Sequence, residues 1–274
     1  MQGSDKMVGA IPAMGYGTWN LPAQEAFNGV LWALEAGCRH IDTAQGYNNE
    51  EFVGAAIAKS GIARPEIFVT TKVAPENFGP GEVRPSVEAS LKKLGVGPVD
   101  LLLLHWPSPH NKYPMEDYVA QFAKVFDAGL AKSIGVSNFT IPLLTEAIRL
   151  LGKRRIATNQ VEIHVFMQNR PIVAHCRSLG IPLTAYCPLA RGRVVGDPTL
   201  AEIGKAHGAT GEQIALAFLI QEGFIVIPSS GKKDRIVSNF AARKIELTDP
   251  EMRRLSALDR GERVVNGDWC PKWD

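Results

Sequence analysis

The chain has 274 residues, 45% of them hydrophobic and 21% charged, with a formal net charge of +2. That length suits one large domain or two small ones, and so mild a charge argues against a nucleic-acid or membrane-surface partner. The four cysteines, Cys38, Cys176, Cys187 and Cys270, form no CxxC or CxxxH arrangement, so zinc and redox-dithiol chemistry are poor readings and no metal is expected.

No stretch approaches the roughly 18 apolar residues of a membrane helix. The first residues carry no signal-like segment, so a cytoplasmic location is expected. Gln2-Gly3-Ser4 reads as an added remnant before a native Met7, with residues 1–6 outside the ordered domain.

Apolar runs alternate with helix-like segments from end to end. The first run is Ala13–Thr18. In the next segment Ala26, Phe27, Val30, Leu31 and Leu34 share one face at a spacing near 3.6, and Gly37 is placed to end it. Strand-like runs follow at Arg39–Asp42, Ile67–Lys72 and Val99–His105, the last preceded by a helical face of Val87, Leu91 and Leu94. Further runs lie at Ala131–Val136, Ile156–Val161, Ile181–Tyr186, just after Gly180, and Phe224–Pro228. They are short, continuously apolar and rich in Leu or β-branched residues, the pattern of parallel strands buried on both faces. The alternation, repeated about eight times without a linker, predicts a single (β/α)8 TIM barrel over residues 1–274. A doubly wound sheet is the alternative. Its dinucleotide form is disfavoured because Gly15-Tyr16-Gly17-Thr18-Trp19-Asn20 lacks the third glycine of GxGxxG.

Such barrels do their chemistry at the C-terminal ends of the strands. Here those ends are Asp42, Lys72, His105, Ser137-Asn138, Gln160, Tyr186 and Ser229-Ser230. Three consecutive ionisable ends, with Tyr47 close behind Asp42, outline a catalytic rim. A lysine buried there is costly unless paired, and Asp42 is the partner one strand away. The ammonium is expected to favour the Tyr47 phenolate and draw that tyrosine down from about 10 toward working pH. Tyr47 then becomes a general acid for a carbonyl oxygen, and His105 orients and polarises the carbonyl. Ser229, Ser230, Lys232 and Arg235 lie where a strand enters a helix start, a setting that favours an anion. This is not a P-loop: Val226 and Lys233 stand where Gly and Ser/Thr would be needed. The plainer alternatives are a structural ion pair for Asp42 and Lys72 and a solvated loop for the basic residues.

Asp42, Tyr47, Lys72 and His105, in this order and context, resemble the catalytic tetrad of the aldo-keto reductases. The resemblance covers nearly the whole chain: Gly15-Tyr16-Gly17-Thr18-Trp19, Asp42-Thr43-Ala44 with Tyr47 and Asn49-Glu50, His105-Trp106-Pro107, Gly135-Val136-Ser137-Asn138-Phe139 and Asn159-Gln160-Val161-Glu162 match family motifs in sequence. It implies NADPH-dependent reduction of aldehydes and ketones, with a small-molecule carbonyl as the only partner and a monomer as the working state. It implies that Gly17, Thr18 and Asp42 lie at the cofactor, that Ser137, Asn138 and Gln160 bond the nicotinamide carboxamide, and that Tyr186 stacks on its ring. It places Cys187, Leu189 and Arg191 along the pyrophosphate and Asn239 at the adenine. A surface arginine without a role is the alternative for Arg191. Ser229 stands where lysine is common in the family, which weakens the expected grip on the NADPH 2′-phosphate. Trp19, Tyr47, His105 and Trp106, with Trp269, would line the substrate pocket, and Ala74 replaces a common bulky aromatic, widening its wall. A short C-terminus is expected to leave that pocket open. Within the family the resemblance is to the bacterial 2,5-diketo-D-gluconate reductase B type, also linked to methylglyoxal reduction. It is carried by Thr140-Ile141-Pro142-Leu143, Ile156–Gln160, Ile227-Pro228-Ser229-Ser230 and Pro271-Lys272-Trp273-Asp274. Two other functions fit a lysine-bearing barrel: a lyase with Lys72 as Schiff-base nucleophile, and a non-catalytic, NADP(H)-sensing subunit.

Overall fold

The computed structural model describes residues 6–274. The expectation for the leader therefore lies outside the described residues, except at Lys6, whose ammonium donates to the Ile220 carbonyl at 3.2 Å. A two-stranded antiparallel hairpin, β1 (Met7–Val8) and β2 (Ile11–Pro12), comes first. The sequence reading missed it because neither strand is long enough to show a period.

Eight parallel strands follow in unbroken spatial order: β3 (Tyr16–Gly17), β4 (His40–Asp42), β5 (Phe68–Val73), β6 (Leu101–Leu104), β7 (Ile134–Ser137), β8 (Ile156–Glu162), β9 (Leu183–Tyr186) and β10 (Ile225–Val226). The sheet curls until its ends meet. Gly15 N–H donates to the Val226 carbonyl at 2.8 Å, Val226 N–H to Ala13 at 2.9 Å and Gly17 N–H to Pro228 at 3.1 Å. This is the expected (β/α)8 barrel, each strand bound lying within three residues of its predicted run.

Helices α1 (Ala23–Glu35), α2 (Glu50–Lys59), α3 (Val83–Leu94), α4 (Met115–Asp127), α5 (Ile141–Leu151) and α6 (Arg170–Ser178) join successive strands. Helices α7 (Pro198–His207) and α8 (Gly211–Gln221) both lie between β9 and β10, and α9 (Lys233–Ala241) and α10 (Asp249–Ser256) follow the last strand. The core has two parts, as strand alternation requires. Leu102 and Leu104 of β6 face the helices in the larger cluster, while Leu101 and Leu103 pack inward with Ile225 and Ile11. Ile11 thus brings the hairpin against the inner core. Backbone proximity explains Gly54 on α2, where a Cβ would stand 2.1 Å from the Leu94 carbonyl oxygen. Beyond α10 the chain runs as an irregular strap to Asp274.

Candidate active site

Alternation sets which strand residues face the barrel interior. On β4 these are His40 and Asp42, and on β5 Thr70 and Lys72; His40 meets the Thr70 hydroxyl at 3.0 Å. The intervening Thr71 faces outward, donating to Glu50 at 2.6 Å. Lys72 is completely buried, and its ammonium donates to Asp42 Oδ1 at 2.5 Å, the Thr43 carbonyl at 2.9 Å and Tyr47 Oη at 3.1 Å. Three donors meet three acceptors, so the buried charge is fully satisfied. Because Tyr47 accepts from Lys72, its own hydroxyl proton is left to donate elsewhere.

Tyr47 ends a short 3₁₀ turn, Gln45–Tyr47. The Gln45 side chain anchors that turn by accepting from Ala74 N–H at 2.9 Å and from Asn77 at 2.8 Å. Ala74 is buried there, joining the turn to the end of β5. Asn49 fixes the turn's far side, donating to the Thr18 and Leu21 carbonyls. The His105 ring stands edge-on to Tyr47 with centroids 5.4 Å apart. All four predicted tetrad residues therefore converge.

Their ionisation differs from expectation at one place. Burial pushes Tyr47 above its ordinary 10.0; the Lys72 ammonium opposes the shift without reversing it. The expected downward draw considered the ammonium alone and neglected desolvation of the phenolate. Burial also disfavours the Lys72 ammonium, but Asp42 and Tyr47 outweigh it and raise Lys72 above 10.5. Burial, and then the Lys72 charge, hold His105 well below 6.5. The site thus presents a protonated phenol, an ammonium and a neutral imidazole at neutral pH.

A second arc of polar groups adjoins the first. Gln160 donates to Asp42 Oδ2 at 2.9 Å, and its Oε1 has no hydrogen-bond partner among the described residues. Ser137 donates to the Gln160 carbonyl at 2.8 Å. Asn138, with φ of 64°, donates to the His105 carbonyl and to Ser137 Oγ, both at 3.0 Å, and accepts from Tyr186 Oη at 2.8 Å. Thr18 is buried, with its hydroxyl on the Asp42 carbonyl, and Gly17 leaves no room for a side chain, a Cβ there standing 2.9 Å from the Ile227 oxygen. These two form wall beside Asp42 and offer no open polar group.

The third part lies after β9 and β10. Burial pushes the Cys187 thiol up to about 11. Leu189 packs on the core, and the Arg191 guanidinium lies 4.8 Å from the centroid of Trp19, bridging two loops. Ser229 is exposed with its hydroxyl 3.4 Å from the Trp19 carbonyl; Ser230 Oγ accepts Lys232 N–H and its carbonyl accepts Tyr16 Oη. Lys232 and Arg235, both exposed, have no ion-pair partner among the described residues, and Asn239 is largely buried on the same helix. An open amide acceptor at the barrel centre, an aromatic platform and unpaired cations at a helix start fit an elongated dinucleotide with a carboxamide at one end and phosphate toward the other.

On the substrate side Trp106 is flanked by Trp269 and Trp273 at 6.5 and 6.3 Å between ring centroids. Trp269, expected among the pocket-lining residues, thus stands against Trp106 with its ring half exposed. Glu162 enters the sequence reading only within a motif and without a role, although it lies two residues beyond Gln160 on the same strand face and is fully buried. Among the described residues no three His, Cys, Asp or Glu side chains are grouped to hold a metal, and no helix is long and apolar enough to cross a membrane.

The sequence profile described as "Aldo/keto reductase family" matches residues 13–260. The chain is 42% identical over 266 residues to methylglyoxal reductase DkgB of Escherichia coli O157:H7, covering 97% of this chain and 100% of that one. A crystal structure described as that of a candidate 2,5-diketo-D-gluconic acid reductase B superimposes with a TM-score of 0.93 at 41% identity, covering 97% of this chain and 96% of the other. The aldose reductase of Schistosoma japonicum gives 0.89 at 33% identity, covering 96% and 95%.

Proposed function

The chain belongs to the aldo/keto reductase family and is an oxidoreductase of carbonyl groups, and from that premise we propose NADPH as its cofactor and Tyr47 as its proton donor. When bound, the nicotinamide supplies the hydride. Tyr47 gives its proton to the carbonyl oxygen, and the neutral His105 holds that oxygen in place by hydrogen bonding. Lys72 fixes the tyrosine oxygen and carries a positive charge beside it, so charge arising on the phenolate is stabilised as the proton leaves. Asp42 aims that ammonium. Gln160, Ser137 and Asn138 hold the carboxamide, Tyr186 supports the ring, and Lys232 and Arg235 select the 2′-phosphate.

The observation that carries this reading is the Lys72 ammonium bonded at once to Asp42, the Thr43 carbonyl and Tyr47. It also disfavours a Schiff-base lyase, which needs a neutral lysine with a lowered pKa; Lys72 is raised. The names of the relatives suggest small dicarbonyls such as methylglyoxal and diketo sugar acids such as 2,5-diketo-D-gluconate as substrates. We propose further a single barrel domain acting as a cytoplasmic monomer, without nucleic-acid or membrane partners. The test is NADPH absorbance loss with a panel of aldehydes, diketones and keto sugars. Turnover confined to wild type and absent in Tyr47→Phe supports the reading. A Tyr47→Phe variant keeping more than about a tenth of wild-type turnover sinks the proton-donor role.

A further inference from the structure

Glu162 is a fully buried carboxylate at the barrel rim that the proposed reaction does not use. It ends β8, its Cα paired with Tyr186. Glu162 Oε1 accepts from Val264 N–H at 2.6 Å and meets His164 Nε2 at 3.0 Å, while Oε2 accepts from Val265 N–H at 2.9 Å. Val264 and Val265 belong to the C-terminal strap, a hundred residues further along the chain. Nearby, the Phe166 carbonyl accepts from the Arg260 and Glu262 amides, and the Arg260 guanidinium lies 3.8 Å from the Phe166 ring centroid.

The strap's far end is held by another carboxylate. Both side-chain oxygens of Asp274 accept from Ile141 N–H at 3.0 Å, at the first turn of α5. Between these points, residues 266–273 make no hydrogen bond to the barrel among the described residues. They reach it through rings, Trp269 and Trp273 against Trp106. Trp273 is braced from within the strap by Asn266 at 3.0 Å and by the Arg263 guanidinium at 3.9 Å. An arch fastened at its ends therefore sets Trp269 and Trp273 against Trp106, whose ring lies 6.4 Å from that of His105, and leaves a half-open cavity of about 340 Å³ between residues 269–272 and residues 107–111.

We infer that Glu162 is a positioning residue for the substrate wall: its carboxylate clamps Val264 and Val265 and so holds Trp269 and Trp273 beside Trp106. It acts on carbonyl binding without touching the carbonyl. The inference rests on the reductase reading for its kinetic consequence, but not for its structural one. Charge-assisted bonds from backbone N–H to a carboxylate are roughly twice as strong as neutral ones. Glu162→Gln keeps the shape while replacing one acceptor oxygen with a donor that faces an amide N–H.

The experiment joins hydrogen–deuterium exchange of the full chain to steady-state kinetics with NADPH. In Glu162→Gln, the hydrogen-bonded strap amides of Arg260, Glu262, Val264 and Val265 should exchange at least about tenfold faster. The carbonyl KM should rise roughly five- to fiftyfold with kcat within about threefold, because only binding is affected. Val265→Pro, which deletes the N–H on Oε2 while leaving Glu162 in place, should act in the same direction and decides the matter if Glu162→Gln does not fold. Unchanged strap exchange in the folded variant overturns the proposal. So does a fall in kcat at unchanged KM, which would put Glu162 at the chemical step. If wild type turns over no carbonyl, the reductase reading fails, while exchange still judges the clamp.

Discussion

Removing Lys72 tests the buried ion pair most directly, because the ammonium and the Asp42 carboxylate are both essentially excluded from solvent. Lys72→Met leaves Asp42 Oδ1 without its cationic partner, while Oδ2 keeps its bond from Gln160. Breaking a buried pair from one side costs about 3–5 kcal/mol, since an uncompensated charge remains. At roughly 2–4 °C per kcal/mol for a chain of this size, the melting midpoint should fall by about 6–20 °C. Asp42→Asn should cost a similar amount, stranding the ammonium on the Thr43 carbonyl and Tyr47. The double variant carries neither charge, so its loss should be smaller than the sum of the single losses by about 2 kcal/mol or more. Thermal unfolding by circular dichroism gives the midpoints, and NADPH oxidation gives the rates. All three variants should be nearly inactive, so stability and turnover separate: the double loses less stability than the single losses sum to, without regaining rate. Additive losses in the double would refute the pairing, and a Lys72→Met enzyme with unchanged kcat and weakened cofactor affinity would make Lys72 a binding group.

Tyr47→Phe should lower kcat by about 10²–10⁴ and leave cofactor affinity unchanged, read by kinetics and by fluorescence titration. A proton donor must be protonated, and burial holds Tyr47 above 10.0 while His105 lies far below 6.5. The rate of reduction should therefore show no step near pH 6.5 and decline only on the alkaline side; an acid-limb loss as pH falls through neutrality would contradict the neutral imidazole. Arg235→Ala should weaken NADPH binding by roughly three- to thirtyfold, the exposed charge being screened, and barely alter NADH. Equal losses would remove Arg235 from phosphate selection. Gly54→Ala should destabilise by about 1–3 kcal/mol, because its Cβ would press to 2.1 Å on the Leu94 carbonyl; an unchanged melting curve would count against that packing.

The barrel and its tetrad were legible because both are written in strand ends. Asp42, Lys72 and His105 each stand at or near the end of a short strand-like run, and parallel topology brings such ends to one rim whatever the loops do. The Tyr47 shift was read in the wrong direction because desolvation depends on how deeply the turn is buried, which no spacing reveals. The anchoring of the strap was not legible for a related reason. Its hold comes from Glu162 and Ile141, more than a hundred residues away, through backbone amides that no pattern marks. Arg191 showed a cation near the cofactor loops, but only the fold sets it over Trp19.

The place where the sheet meets itself has a consequence of its own. Strands β3 and β10 are each two residues long and share just a few backbone bonds, with Tyr16 Oη reaching Ser230 at 2.7 Å. The opposite wall is sewn more deeply, β5 and β6 pairing over four residues. If the cylinder is to part anywhere, this short seam is the place, and parting would bare two strand edges able to recruit other chains. Trp19 stands at one lip of it and Ser229 through Arg235 at the other. A dinucleotide gripping both lips would act as a suture, raising heat tolerance in step with its concentration and keeping sticky edges hidden during long exposure to warmth.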